Sequence, residues 1–398
     1  MRQSTGALNK NCLEVADILH RYGRAYRQNN HLSYEQQKVI SHIQACRTAA
    51  LGGHVEQCTE CGFETIAYNS CRDRHCPKCQ IMAKEKWLCN RKAELLPCGY
   101  FHLVFTLPHT LNQLILCNKK IMLSMLFSAV NETLQAFAQD PQWRLNGQLG
   151  MITVLHTWSQ TLVDHFHLHC LVPAGALSVS QNKWTPARRS FLFRITSLAK
   201  EFRKRYLDKL KKAYQKEDLI FPGETASLDS PEAFGEMTQK LSETNWITYA
   251  KRPFSGPEQV LEYLGRYTHR VAISNNRIIS MESGKVVFTY RDRQQNNEKK
   301  TMSVDASEFI RRFLLHVLPK GFMKIRYFGF LANVKKKENI RLIRKLIGVA
   351  MKIPGIIKET IQQVMLRVTG IDITCCPKCK KGKMMKTREL LSLAWDTS

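Results

Sequence analysis

The hydrophobic and polar positions along the chain change rhythm several times, and each rhythm predicts a different kind of element. Residues 1–50 carry apolar side chains at helical spacing, and Ser33 with Gln36 forms a capping box just before an apolar stripe. Between 51 and 80, glycine, cysteine and histidine follow one another at short intervals. This texture predicts a small module held by metal rather than by a hydrophobic core.

Strands and long helices are predicted for the middle of the chain. The runs at 100–108 (YFHLVFTLP) and 151–158 (MITVLHTW) indicate buried strands, and 110–138 indicates one or more helices. Residues 191–214 place apolar side chains at helical spacing beside an outer face of arginine and lysine. The segment 222–245 is polar and rich in Gly, Ser and Glu, so we expect an exposed connection there.

A helix, two strands and a basic tail are predicted for the remainder. The stretch 255–270 (SGPEQVLEYLGRYTHR) carries the signals of a helix start, with Ser255 as its cap and Pro257 in the first turn. The runs RVAISN and KVVFTYRD predict two strands. The tail from 320 to 398 holds 18 basic and 5 acidic residues, a net charge of +13.

The overall charge indicates which class of molecule the protein binds. The chain has 398 residues, 44% of them hydrophobic, which is enough for two or three domains, and its formal net charge is +27. A chain this basic favours a polyanion, with nucleic acid ahead of an anionic membrane surface. We find no apolar run of about 18–20 residues and no signal-peptide core in the first ten residues. The cytoplasm is therefore the expected compartment, with no membrane partner.

The cysteines predict structural zinc. There are 14 of them, many at two-residue spacing in a chain without an export signal, which favours metal binding over disulfides. Cys58-x-x-Cys61 and Cys76-x-x-Cys79 are separated by fourteen residues, and together they can close one tetrahedral Zn²⁺ site. Four thiolates leave no position for water, so this zinc is expected to be structural. Cys71 or His75 could replace one of these ligands, and His54 and Cys46 lie close enough in the sequence to join a second site.

The C-terminal stretch CCPKCKKGKM contains half of another zinc site. Cys376 and Cys379 form a single knuckle, next to Cys375. Two readings stay open. The missing ligands come from another part of the chain, or the stretch binds no metal.

Several basic residues are candidates for contact with DNA phosphates. They lie among the first cysteines, on the outer face of the 191–214 helix and in the tail. Surface residues with no partner are the plainer interpretation of such charges. The candidates are Arg72, Arg74, Lys78, Arg203, Lys204, Lys335, Lys336 and Lys337.

The stretch DHFHLHCLV alternates histidine with apolar residues. On a strand, His165, His167 and His169 would share one face. A single histidine in a strand usually packs in a core, whereas three at alternate positions favour a metal. Imidazoles can hold Mg²⁺ or Mn²⁺ while leaving positions for phosphate oxygens, although by themselves they prefer Zn²⁺ or another later metal.

Two tyrosines on the helix predicted at 255–270 suggest a use for such an ion. Tyr263 and Tyr267 are four residues apart, so both hydroxyls emerge from one helical face. An aromatic packing pair is the ordinary interpretation of this spacing. Beside a histidine metal site in a basic chain, the hydroxyls also fit nucleophiles that attack a phosphodiester and form a phosphotyrosine link.

Taken in order, these motifs resemble a known family. The stretches are GGHVEQCTECG, YNSCRDRHCPKCQ, LHTWSQTLVDHFHLHCLVPAGAL, KRPFSGPEQVLEYLGRYTHRVAISNNRI and LPKGFMKIRYFGFLAN. From about residue 10 to 385 the chain is similar to the rolling-circle transposases of bacterial insertion sequences, of the insertion-sequence-ninety-one type. The resemblance implies an N-terminal zinc-binding domain and an HUH (His-hydrophobe-His) nuclease core. It also implies an α+β fold in which an antiparallel sheet is flanked by helices, as in replication initiators and relaxases.

The resemblance also implies domains. We expect a helical region with a zinc-binding module at 1–98, its cysteine cluster spanning 58–79. An HUH catalytic domain would follow at 99–333, and a basic helical region with the half knuckle at 334–398.

Carried over residue by residue, the family's features assign roles. The His-hydrophobe-His pair falls on His167 and His169, and the two nucleophilic tyrosines fall on Tyr263 and Tyr267. The third metal ligand is not fixed by the motif, and His165 and Gln160 are the candidates. The implied cofactors are catalytic Mg²⁺ or Mn²⁺ and structural Zn²⁺, and the implied partner is single-stranded DNA at the ends of the element.

Two other functions remain in competition. A plasmid replication initiator or relaxase shares the nicking chemistry, although the zinc module and the order of the motifs favour a transposase. A non-catalytic zinc-finger regulator of DNA explains the charge and the cysteines. It leaves the three histidines and the paired tyrosines without a role.

Overall fold

A computed structural model describes residues 13–92, 94–187, 192–254, 259, 265, 272–292, 295–350 and 359–393. The architecture is α+β, as predicted, and its strand pairs are antiparallel. The described helices are α1 Val15–Asn29, α2 Tyr34–Ala45, α3 Pro77–Lys92, α4 Asn112–Cys117, α5 Lys119–Gln139, α6 Ile195–Gln215, α7 Pro231–Glu243, α8 Ala306–Leu315, α9 Lys336–Leu346 and α10 Ile361–Thr369.

The strands of the described residues form four sheets. Their bounds are β1 Gly53–Cys58, β2 Glu64–Tyr68, β3 Tyr100–Thr106, β4 Met151–Trp158, β5 Asp164–Pro173, β6 Gly175–Ser178, β7 Lys183–Pro186, β8 Thr248–Phe254, β9 Ile278–Glu282, β10 Lys285–Asp292, β11 Glu298–Asp305, β12 Ile325–Phe328 and β13 Met384–Leu390. The largest sheet has the order β12-β4-β5-β3-β8, and β6 forms a two-stranded sheet with β7.

The central five-stranded sheet has two different faces. Side chains alternate along β5, so Phe166, Leu168 and Cys170 point into the main core formed with α5 and α6. The opposite face packs Leu171 and neighbouring strand residues against α9. The predicted histidines of β5 lie on this second face because they alternate with the core residues. One face therefore stabilises the sheet and the other is available to carry a site.

The helix α5 is long and largely apolar. Contrary to the prediction from the sequence, this helix is long and apolar enough to cross a membrane, but 56% of its most apolar window is buried inside the protein. There it packs against α6 and the central sheet. Its hydrophobicity is thus accounted for by the core.

A second core joins distant parts of the chain. Helices α1 and α2 pack on α8 and on the sheet β9–β10–β11, with Ile18, Ile40, Phe288 and Phe309 fully buried among them. The chain segment 272–317 therefore stabilises the N-terminal helices, although sequence order had placed it within the 99–333 domain.

A third small sheet brings the two ends of the chain together. Its order is β13-β1-β2, with Cys58 opposite Met384 and Gly53 opposite Leu390. The C-terminal strand thus completes the N-terminal cysteine module. One strand of the predicted region 334–398 therefore shares a sheet with two strands of the predicted region 1–98.

Most predicted elements in the described residues are confirmed, with some differences. The predicted strands at 100–108 and 151–158 correspond to β3 and β4, and the Ser33–Gln36 capping box is formed. The segment predicted as an exposed connection instead contains α7, which begins at the cap Ser230 and buries Phe234 and Leu241. Its polar residues occupy the outer face of an amphipathic helix, and this hid the buried side chains.

Two other predictions for the second half need comment. In RVAISN, residues 272–275 are not strand, and β9 begins later, at Ile278. The strand β11 was not predicted because its sequence, EKKTMSVD, is largely polar. Of the predicted helix 255–270, only Gln259 and Gly265 lie within the described residues, and both are helical.

Candidate functional site

Three imidazoles converge on the second face of the central sheet. The register places His156 of β4 directly opposite His167 of β5, and Val154 opposite His169. Nitrogen atoms of these three histidines all lie within 4.8 Å of one another, and the three side chains are buried. We call His156, His167 and His169 the histidine cluster.

Hydrogen bonds fix the orientation of two of these rings. His167 Nδ1 lies 2.8 Å from the backbone carbonyl of His165, which can only accept, so Nδ1 carries the proton and Nε2 carries the lone pair. His169 Nδ1 lies 2.8 Å from His102 Nε2 on β3, and the planes of the two rings are within 9° of each other, so the rings face edge to edge. His169 Nε2 faces His156 Nδ1 at 3.1 Å. Neighbouring groups therefore hold the cluster in place.

The chemistry of this donor set fits a divalent ion. Ligand nitrogens that share one ion at about 2.1 Å lie roughly 3 Å apart, and the His169–His156 distance of 3.1 Å is of that size. A histidine ligand is usually oriented through its other ring nitrogen, as His167 is here by a carbonyl. Three imidazoles leave coordination positions for other oxygens.

The third imidazole comes from a strand that the motif did not indicate. His165 contributes its carbonyl to His167, and its ring stacks on His109 with centroids 5.3 Å apart. The backbone carbonyl of Gln160 accepts a hydrogen bond from Arg277 at 2.6 Å. The structure groups His156, rather than His165, with the predicted pair. The sequence does contain a sign of this third ligand. His156 lies in the adjacent predicted strand, at the register position that faces His167.

The predicted nucleophiles Tyr263 and Tyr267 lie outside the described residues. Gly265, midway between them, is described and is buried. A Cβ atom at this glycine would lie 2.8 Å from Cδ1 of Leu88 on α3. A side chain at this helical position would have to displace the end of the Leu88 side chain.

The cysteines form two groups rather than one. The first cysteine cluster consists of Cys46, Cys71, Cys76 and Cys79. Cys46 ends α2, and Cys76 and Cys79 lie at the start of α3. Neighbouring Sγ atoms are 3.6–3.7 Å apart. Sulfurs bound tetrahedrally to zinc at about 2.3 Å would be about 3.8 Å apart, whereas a disulfide needs about 2.05 Å.

The second cysteine cluster consists of Cys58, Cys61, Cys376 and Cys379. Its Sγ atoms approach to 3.7 Å, in the pairs Cys58–Cys379 and Cys61–Cys376. The backbone N–H groups of Gly382 and Lys381 lower the pKa of Cys379 to about 6. A thiolate is the form that binds metal, so this sulfur is prepared for it.

The predicted set of Cys58, Cys61, Cys76 and Cys79 is therefore not brought together. Each CxxC knuckle is completed by other cysteines, Cys46 and Cys71 for one and the C-terminal knuckle for the other. The spacing had identified the knuckles correctly but not their partners. A knuckle supplies only half of a tetrahedral site, and its sequence does not specify the other half.

Two histidine candidates lie outside both cysteine clusters. His75 is buried, with Nδ1 3.1 Å from Asp73 and Nε2 accepting the Leu318 N–H at 3.3 Å. Burial lowers its pKa. His54 faces Glu56 at 3.1 Å. His75 connects the cysteine module to the loop after α8, where both of its nitrogens are used.

The structure corrects two of the predicted DNA contacts. The Arg74 guanidinium donates to the carbonyls of Leu318 at 3.1 Å and Pro319 at 2.8 Å, so it holds a loop. Lys336 is only 9% exposed and pairs with Glu94 at 2.8 Å. Both residues lie in runs of positive charge, but each one faces inward.

The other basic candidates remain at or near the surface. Lys78 forms an ion pair with Glu14, and Arg203 donates to the Thr244 carbonyl. The exposed members of the set are Arg72, Lys204, Lys335 and Lys337.

Comparisons with known proteins agree on one class. Residues 18–107 match the family described as "Transposase zinc-binding domain", and residues 150–338 match the family described as "Putative transposase". A protein of Sinorhizobium fredii described as "Putative transposase y4qJ" is 45% identical over 397 residues, 97% of this chain and 98% of that protein.

A more distant relative carries a more specific description. The "Transposase for insertion sequence element IS801" of Pseudomonas savastanoi pv. phaseolicola is 29% identical over 300 residues, which cover 74% of this chain and 70% of the relative. No solved structure matches the chain.

Proposed function

This chain belongs to the transposases of the insertion-sequence-ninety-one type, and on that basis we propose that it nicks and rejoins one DNA strand through a 5′-phosphotyrosine intermediate. Membership implies an enzyme that acts on DNA and carries a zinc-binding domain. The strandedness of the DNA, the nucleophile and the catalytic ion are parts of the proposal.

The histidine cluster is the observation that carries the proposal. Three imidazoles are buried on the sheet face that is not covered by α5 and α6, with His167 oriented through its Nδ1. We assign them to a divalent ion, Mg²⁺ or Mn²⁺. When bound there, such an ion would polarise a phosphodiester and stabilise negative charge on its oxygens.

The two tyrosines complete the chemistry. The hydroxyl oxygen of Tyr263 or Tyr267 would attack the phosphorus, forming the phosphotyrosine bond. The bond from phosphorus to the 3′ oxygen would break, and that oxygen would leave as a free 3′-hydroxyl after taking a proton. The reverse attack by a 3′-hydroxyl would rejoin the strand. Support comes from the helical spacing of the pair and from Gly265 between them, buried beside Leu88.

DNA binding would use exposed positive charge around a zinc-stabilised module. We assign a structural Zn²⁺ to the first cysteine cluster, whose four sulfurs have tetrahedral spacing. Arg72, Lys204, Lys335 and Lys337 are exposed and would contact phosphates, with the single-stranded ends of the element as the DNA. The named relatives are bacterial, so we expect this to take place in the bacterial cytoplasm.

A covalent-adduct assay tests the proposal. Purified full-length protein is incubated with Mg²⁺ or Mn²⁺ and with end-labelled single-stranded oligonucleotides from the two ends of the element, and a protein–DNA adduct is sought under denaturing conditions. We expect an adduct with the wild type and none with the double variant Tyr263→Phe/Tyr267→Phe. The control Tyr34→Phe changes an exposed tyrosine of α2 and should retain the adduct.

Two outcomes would contradict the mechanism. One is an adduct that persists in the double variant. The other is the absence of any adduct with either end of the element, with wild-type protein and either metal.

A further inference from the structure

We propose that this chain holds a second structural zinc ion, bound by Cys58, Cys61, Cys376 and Cys379, which fastens the two ends of the chain to each other. The matched zinc-binding domain covers residues 18–107 only, so it contains just two of these four sulfurs. The site therefore extends beyond that domain and is separate from the proposed nicking chemistry.

The two knuckles have matching local geometry. In the first, the backbone N–H of Glu60 points at the Sγ of Cys58 at 3.4 Å. In the second, the N–H of Gly382 points at the Sγ of Cys379, also at 3.4 Å. Hydrogen bonds of this kind stabilise thiolates, the form that ligates zinc. Each end of the chain thus contributes a knuckle already arranged for a metal.

Backbone pairing brings the two knuckles together. Just beyond the register of β1 with β13, Thr59 N–H donates to the Lys383 carbonyl at 3.0 Å, and Lys383 N–H donates to the Thr59 hydroxyl at 3.1 Å. Within the second knuckle, Cys376 N–H donates to the Gly382 carbonyl at 2.8 Å. The four sulfurs are therefore placed by a ladder of specific hydrogen bonds.

Gly382 shows how closely the knuckles approach. A Cβ atom at this position would lie 2.4 Å from the Sγ of Cys58, so any side chain would collide with the sulfur. The glycine is buried, and it separates Cys379 from the start of β13. Only a residue without a side chain allows the sulfur of one knuckle to contact the backbone of the other.

The C-terminal segment has little buried apolar surface to hold it in place. Across residues 359–393, the buried residues are Val364, Cys376 and Gly382. The side chains of β13 are mostly exposed, so its pairing with β1 has little apolar burial behind it. Segments that cannot build a core are commonly stabilised by a structural metal. A zinc at the second cysteine cluster would supply that stabilisation.

Zinc content tests the proposal directly. Full-length protein is analysed in a His167→Ala/His169→Ala background, so that the histidine cluster contributes no zinc. We expect about two zinc ions per chain in this background and about one after adding Cys376→Ser/Cys379→Ser. The matched control is Cys375→Ser, a neighbouring cysteine outside both clusters, which should leave about two. One zinc in the background, or two in the quadruple variant, would overturn the proposal.

A second measurement reports on the joined ends. Hydrogen exchange of the amides in 384–390 should become faster when Cys376 and Cys379 are replaced, and also in Gly382→Ala, while Cys375→Ser leaves it unchanged. Unchanged exchange in both altered proteins would contradict a zinc that joins the ends.

Cobalt substitution covers the case in which the cysteine variants do not fold. Protein in the same His167→Ala/His169→Ala background, with cobalt in place of zinc, should show the charge-transfer absorption of two four-thiolate sites per chain. Absorption equal to one such site would overturn the proposal. A disulfide between the knuckles would instead appear as two or four fewer titratable thiols before reduction, and this result would also overturn it.

Discussion

The histidine cluster and the two cysteine clusters differ in ligand number and in what holds their ligands. Each cysteine cluster offers four sulfurs, which fill a tetrahedral coordination shell and leave no room for a substrate. The histidine cluster offers three imidazoles from adjacent strands of the central sheet. An ion bound there would keep positions for phosphate oxygens. Within one chain, the count of ligands separates a site suited to stability from a site suited to chemistry.

The cysteine clusters and the histidine cluster also differ in the structure that holds their ligands in place. The cysteines lie at the ends of helices and strands, and backbone N–H groups point at Cys58 and Cys379. The histidines lie within strands whose opposite face forms the main core, and other imidazoles or a carbonyl orient His167 and His169. Removing a sulfur should therefore damage the fold, whereas removing an imidazole should damage the reaction.

The largest effect is expected for Cys76→Ser in the first cysteine cluster. Structural zinc contributes about 10 kcal/mol or more in small zinc domains, whereas whole domains are stable by about 5–15 kcal/mol. Cys76 is fully buried against the core shared by α1, α2 and α8. We therefore expect this region to be unfolded in Cys76→Ser, so that its cooperative thermal transition disappears. Thermal unfolding followed by circular dichroism measures this. Cys117→Ser, outside both clusters, is the control. An unchanged transition in Cys76→Ser would contradict the structural role assigned to the first cysteine cluster.

Next in size is His156→Ala in the histidine cluster. Loss of one of three ligands should slow single-turnover nicking by at least about 100-fold, while the unfolding transition shifts far less than in Cys76→Ser. His165→Ala should cost less than about tenfold, because its ring lies outside the cluster and its carbonyl is retained. If His165→Ala proves the more damaging of the two, the third ligand has been misassigned.

A smaller effect is expected for His102→Phe. His102 Nε2 lies 2.8 Å from His169 Nδ1, so it acts as a positioning residue for that ligand. Replacing such a partner commonly lowers metal affinity by about 10–100-fold. We expect the metal concentration for half-maximal nicking to rise by that factor, with the rate at saturating metal nearly restored. A rate that stays low at saturation would mean that His102 does more than orient His169.

The smallest effect concerns a buried histidine outside the cluster. Burial lowers the pKa of His316 to about 3, with its Nε2 3.0 Å from the Leu162 carbonyl. Below an unfolded pKa of about 6.5 the unfolded chain binds a proton that the folded chain does not. The free energy of unfolding should therefore be highest above pH 6.5. As the pH falls from 6.5 to 5, it should decrease by at most about 1.4 kcal/mol per unit from this group.

Denaturant unfolding between pH 7 and 5 measures that slope. His316→Gln should reduce the slope, and His20→Gln, at an exposed position of α1, should not. An equal slope in wild type and His316→Gln would assign the pH dependence to other groups, such as the metal ligands.

Sequence periodicity predicted the central elements because strands and helices there bury one regular face. The strands β3, β4 and β5, the helix α6 and the shared strand face of His165, His167 and His169 follow from local patterns. The choice of His167 and His169 among the three rested on the family resemblance. The helix α7 was not predicted because its polar outer face dominates its composition. Lys336 was misjudged for a related reason, since its neighbours Lys335 and Lys337 are exposed while it faces inward.

Partners that are distant in sequence could not be derived from local patterns. His156 meets His167 through the β4–β5 register, and His102 meets His169 only after β3 pairs with β5. The cysteine knuckles were visible, but 315 residues separate Cys61 from Cys376. Spacing identifies half a metal site, and only the tertiary fold identifies the other half.

The pairing of β1 with β13 has a consequence for synthesis on the ribosome. When residues 1–98 have been made, all four sulfurs of the first cysteine cluster exist, but only two of the second. A copy of the gene truncated before the codon for Cys376 still encodes the histidine cluster and both tyrosines, yet its product cannot close the β13-β1-β2 sheet. Completion of this sheet thus distinguishes a full-length translation product from a shortened one.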